Sequence, residues 1–123
     1  MTTLGGNLQN QIGAYQKIQK DYDNAVSNRT QLESQLKENE QVNHEFTLLN
    51  DDSIVYKMIG PCLVKQDRTE AVSNVQKRIE FIQTEIKRSE TLISDLQTKL
   101  DAKKMEVVKL ETQYQQQLAA QAK

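Results

Sequence analysis

Between Val72 and Tyr114 an apolar residue recurs at every seventh position: Val72, Ile79, Ile86, Ile93, Leu100, Val107 and Tyr114. Three residues on, a companion column carries Val75, Ile82, Leu96 and Leu110, interrupted by Ser89, Lys103 and Gln117. Apolar residues alternating three and four apart over this length form a seam that only another helix covers. The first half of the chain supplies that helix. One of its columns holds Leu8, Tyr15, Tyr22 and Leu36, with Arg29 and Asn43 as exceptions. The other holds Leu4, Ile18, Ala25, Leu32 and Phe46, with Gln11 and Asn39 as exceptions. Polar seam residues lower stability but fix register and partner choice; Asn39 and Asn43 either do this or simply face water. Gly5, Gly6 and Gly13 weaken the first turns, so the start of this helix is expected to fray.

Asn50-Asp51-Asp52-Ser53 then stops the helix, because these side chains compete for the backbone. The texture changes to Ile54-Val55-Tyr56-Lys57-Met58-Ile59 and, after Gly60-Pro61, to Cys62-Leu63-Val64-Lys65-Gln66. Two strands rich in β-branched and aromatic residues around a tight turn follow. Gly60 supplies a positive φ and Pro61, the only proline, a fixed negative one, which fits a type II′ turn. Asp67 and Glu70, three apart, read as a capping box that restarts the helix.

The pattern therefore predicts a mainly α chain: an antiparallel two-helix coiled coil with a β-hairpin at the end where the helices connect. A single domain is expected over residues 1–123, with helices at about 4–49 and 68–120 and the hairpin at about 54–66. At about 1.5 Å per residue the rod is roughly 70–80 Å long. An isolated hairpin is marginal, and this one carries apolar residues on both faces. Ile54, Tyr56, Met58 and Leu63 lie on one face, and Val55, Ile59, Cys62 and Val64 on the other. Open edges and two apolar faces make a lone chain adhesive. Ile54, Val55, Tyr56, Met58, Ile59, Leu63 and Val64 are accordingly assigned to subunit assembly.

Composition narrows the functional classes. Hydrophobic residues make up 37% and aromatics 5% of 123 residues, too few for a thick globular core. The net charge of −1 gives no general attraction to nucleic acid or anionic lipid. Lone Cys62 excludes an internal disulfide framework, suits a reducing compartment and reads as a small buried hydrophobe. With no apolar run of membrane-spanning length and no signal-like start, the expectation is a soluble cytoplasmic protein with neither membrane nor nucleic acid as partner. His44 is the only histidine, and no glycine-rich phosphate loop, metal cluster or catalytic constellation is present in the pattern. The expectation is a protein that is not an enzyme and needs no cofactor.

Three segments carry a resemblance. Asn43-His44-Glu45-Phe46…Leu49, Val55-Tyr56-Lys57-Met58-Ile59-Gly60-Pro61-Cys62-Leu63-Val64-Lys65-Gln66 and Ala71…Asn74-Val75…Arg78-Ile79-Glu80-Phe81-Ile82…Glu85 resemble the β-type subunits of the prefoldin family, and most of all the eukaryotic kind. The specific residues fall between Asn43 and Glu85; the outer helices match in layout only. Cys62 departs from the valine more usual after the proline. The resemblance implies a hetero-hexamer of two α-type and four β-type subunits, with a β-barrel body of hairpins and six hanging coiled coils. It further implies ATP-independent capture of unfolded actin and tubulin and delivery to the cytosolic chaperonin. On that footing the splayed rod end, with Leu4, Leu8, Ile12, Val107, Leu110, Tyr114 and Leu118, is where a client binds. Two other readings remain: a structural coiled-coil tether or scaffold, and an RNA-binding arm. The second requires Lys and Arg concentrated on one face, whereas Lys99, Lys103, Lys104 and Lys109 alternate with Asp101, Glu106 and Glu111.

Overall fold

The computed structural model describes residues 3–50 and 52–122. Its elements run α1 (Leu4–Thr47), β1 (Val55–Ile59), β2 (Cys62–Gln66) and α2 (Arg68–Gln121). Two long antiparallel helices pack together with a two-stranded antiparallel hairpin between them. The chain divides into two compact units: a terminal unit of Met1–Asn28 with Ser89–Lys123, and a hairpin unit of Arg29–Arg88.

In the terminal unit the seam columns turn inward. Leu8, Ala25, Leu96 and Leu100 are buried, and Tyr15, Ile18, Tyr22, Ile93, Val107, Leu110 and Tyr114 are half-buried. The column's interruptions are built in rather than expelled. Ser89 is buried and its Oγ donates to the Ala25 carbonyl at 3.5 Å, two small residues sharing one layer. Lys103 Nζ donates to Gln11 Oε1 at 2.5 Å and to Glu106 Oε2 at 3.3 Å. Two polar exceptions, one per helix, thus meet each other, and neither lacks a partner in a half-buried seam.

The first turns, expected to fray, are helical from Leu4 and carry contacts of their own. Thr3 caps α1, its Oγ1 accepting from Gly6 N at 3.0 Å and its carbonyl from Asn7 N at 2.8 Å. Gly5 lies under Tyr114, so that a Cβ there would stand 3.2 Å from the ring Cε2. The missing side chain is a seat for the ring, which closes the seam where loosening was expected.

In the hairpin unit α1 ends at Thr47. Leu48 N and Leu49 N donate to the Glu45 and Phe46 carbonyls at 3.0 and 3.4 Å, tightening the last turn. Asn50 organises the connection: its Oδ1 accepts from Asp52 N at 3.1 Å and Ser53 Oγ at 3.0 Å. Arg68, the first residue of α2, reaches back and donates from Nη2 to the Asn50 carbonyl and, at 3.1 Å, to the Ser53 carbonyl. The helix restart therefore anchors the segment that enters the hairpin. Ala71 and Ile82 are the buried apolar residues of α2 in this unit. The half-buried positions Leu32, Leu36, Asn39, Asn43 and Phe46 continue the α1 columns. Asn39 settles locally, its Nδ2 donating to the Gln35 carbonyl at 2.7 Å.

The strands pair Val55↔Gln66, Tyr56↔Lys65, Lys57↔Val64, Met58↔Leu63 and Ile59↔Cys62. Gly60-Pro61 is thus a two-residue loop. Gly60 has φ 57°; the proline ring excludes a positive φ at the second position, which leaves type II′ over type I′.

Candidate functional site

Directly paired residues of an antiparallel ladder share a face. The register therefore places Tyr56, Lys65, Met58 and Leu63 on one side of the hairpin. Val55, Gln66, Lys57, Val64, Ile59 and Cys62 occupy the other. Ile54, just before β1, joins the first side by alternation. Only Val55 and Gln66, at the base, are half-buried. Tyr56, Met58, Ile59, Leu63 and Val64 are between 45 and 70% exposed, and Ile54 is 54% exposed. The sheet has two strands, so each strand also keeps one unpaired edge. This surface can do two things: lend main-chain groups to a further strand and bury apolar side chains against another chain. Cys62, read from sequence as a buried hydrophobe, is exposed, because its face has no cover within the chain.

The terminal unit offers a second surface. Of the seven residues expected to bind a client, Leu8 is buried, and Leu4, Val107, Leu110 and Tyr114 are half-buried in the seam. Ile12 and Leu118 are exposed, at 36% and 48%. The structure brings Tyr114 against Gly5 and leaves Leu118 open. Met105 and Val108, at 74% and 53% exposed, form an apolar patch bordered by Lys104 and Lys109. Met105 was passed over in the sequence because it falls outside the heptad columns, although its three-residue spacing from Val108 already puts the two on one helix face. Arg68 was missed too; no local signal marks a side chain that anchors a loop far back in the chain.

Among the described residues no group of three or more His, Cys, Asp or Glu is placed to hold a metal ion. Among the same residues no helix is long and apolar enough to cross a membrane.

A sequence model of the family described as "Prefoldin subunit" matches residues 9–119. The chain belongs to the prefoldin subunit family. It is 39% identical over 115 residues to prefoldin subunit 6 of Mus musculus, covering 94% of this chain and 91% of that one. It is 43% identical over 120 residues to prefoldin subunit 6 of Arabidopsis thaliana, covering 98% and 93%. The fold is also that of the prefoldin beta subunit from Thermococcus strain KS-1, with TM-score 0.74, 23% identity and coverage of 87% and 94%. As a prefoldin subunit the protein is a non-enzymatic component of the prefoldin co-chaperone complex, and other prefoldin subunits are its partners. That membership outweighs the readings as a passive tether or an RNA-binding arm.

Proposed function

We propose that this chain is one β-type subunit of a cytoplasmic prefoldin hetero-hexamer of two α-type and four β-type subunits. The complex captures unfolded chains such as actin and tubulin without nucleotide and passes them to the cytosolic chaperonin. Ile54, Val55, Tyr56, Met58, Ile59, Leu63 and Val64 assemble the body. The observation that carries this reading is the hairpin: its register is fixed within the chain, yet nearly all its apolar side chains are exposed. Burial of that surface at about 25 cal/mol per Å² supplies the drive for association.

Client capture belongs to the terminal unit. Ile12, Met105, Val108 and Leu118 are open to a client at once. Leu4, Leu8, Val107, Leu110 and Tyr114 join only when the seam yields. Several such weak sites, one per subunit, hold a client through avidity. Methionine suits the task because its flexible thioether adapts to irregular partners.

The test reconstitutes the complex from its prefoldin subunits, with no nucleotide present. Native mass spectrometry should give a hexamer, and the complex should suppress aggregation of denatured actin. Replacing Ile12, Met105, Val108 and Leu118 together by Ser should leave the hexamer mass unchanged and weaken capture severalfold. A requirement for ATP, or undiminished capture by the quadruple variant, overturns the respective half of this reading.

A further inference from the structure

At the base of the hairpin lies a notch of about 170 Å³ lined by Phe46, Val55, Ala71, Val75, Lys57 and Arg78, together with Tyr56, Gln66 and Asn74. All nine residues belong to the hairpin unit. α2 contributes Ala71, Asn74, Val75 and Arg78, whose spacing of three, four and seven places them on one helix face. The hairpin contributes Val55, Lys57 and Gln66 from the face that turns inward at its base.

Three properties define what fits. The volume falls below the roughly 300–1,000 Å³ of small-molecule pockets and suits one side chain. The floor of Phe46, Val55, Ala71 and Val75 is apolar and receives a methylene stem. The charged lining residues are Lys57 and Arg78, both cationic, and no carboxylate lines the notch. Among the described residues neither cation has an ion-pair partner. Asn74 and Gln66 add amide donors. Two cations over an apolar floor, next to solvent-excluded surface once assembled, attract a carboxylate far more strongly than they would in bulk water.

We propose that this notch receives an acidic side chain from a neighbouring prefoldin subunit, with Lys57 and Arg78 as the residues that select it. The inference rests on the reading of the hairpin as the assembly element, with whose inward-turned face the notch is continuous. Apolar hairpin faces are sticky toward any β-subunit hairpin; a buried charge contact discriminates among them, because a neighbour lacking the carboxylate leaves two cations uncompensated.

Zero-length carbodiimide coupling, which joins an amine to a carboxylate without a spacer, tests the contact in the assembled complex. Peptide mass spectrometry should find Lys57 joined to an Asp or Glu of another chain. Lys57→Glu with Arg78→Glu should raise the concentration needed for half-assembly about tenfold or more. Both residues are exposed, so helix content should be unchanged. Lys57→Arg with Arg78→Lys should assemble as the parent does. An assembled hexamer in which Lys57 joins no neighbouring carboxylate, or a charge-reversed chain that assembles at unchanged concentration, overturns the inference and leaves the assembly reading standing. Failure of the parent chain to enter any complex overturns both.

Discussion

The terminal unit and the hairpin unit solve opposite problems with similar side chains. In the terminal unit Leu8, Leu96 and Leu100 point into a seam the chain closes by itself, and even Ser89, Gln11 and Lys103 find partners there. In the hairpin unit Tyr56, Met58, Ile59 and Leu63 are as apolar, yet more than half exposed. The difference follows from geometry. A helix buries one stripe and needs one neighbour, whereas a two-stranded sheet has two faces and two edges and needs several. One unit covers its apolar residues within the chain; the other leaves them exposed, which is why assembly is proposed there.

The sharpest way to break this contrast is a charge on the open surface. Ile59→Asp should abolish entry into the complex, because burying an unpaired carboxylate costs several kcal/mol. The circular dichroism of the separate chain should barely change, since Ile59 is already 56% exposed there. Ile59 is a better position than Val64, which sits directly opposite Lys57 and would offer a new carboxylate a partner. Normal assembly of the variant, by native mass spectrometry, would show that the hairpin is not the assembly element. A smaller effect is expected at the closed seam. Leu100→Ala, at a position only 6% exposed, should cost about 2–3 kcal/mol in thermal or urea unfolding. Met105→Ala, at 74% exposed, should shift the same transition by less than about 0.5 kcal/mol. Equal effects would mean that the seam is not the source of stability. The finest distinction is between two glycines of α1. A Cβ at Gly13 meets nothing within 4 Å, so Gly13→Ala should stabilise by about 0.5–1 kcal/mol. Gly5→Ala should gain less or lose, because the new methyl crowds the Tyr114 ring.

Long helices were legible in the sequence because burial repeats with their period, and every apolar member of the α2 heptad columns is buried or half-buried. The hairpin was legible for a similar reason, with Gly60-Pro61 naming its turn. The fate of the exceptions was not. Whether Lys103 interrupts a seam or completes a layer depends on which residue of α1 stands opposite, and heptad spacing leaves that register open by whole repeats. The glycine count likewise pointed to fraying, while Thr3 as a cap and Tyr114 as a cover are contacts that propensity does not weigh. At the candidate surfaces, alternation assigned residues to the two hairpin faces correctly. The notch at the hairpin's base escaped notice because Phe46, Lys57 and Arg78 converge from three separate elements.

The type II′ turn has a kinetic consequence. Strands of five residues joined by two form within microseconds, and their register is settled by the Gly60 backbone. With Arg68 tying down the entrance, the binding surface is preorganised before any neighbour arrives. If assembly runs through the hairpin as proposed, docking should lose little backbone entropy, and the frequency and orientation of encounters between subunits should set the pace of incorporation. On the proposed assembly through the hairpin, a newly made chain is competent to join other prefoldin subunits as soon as it meets them.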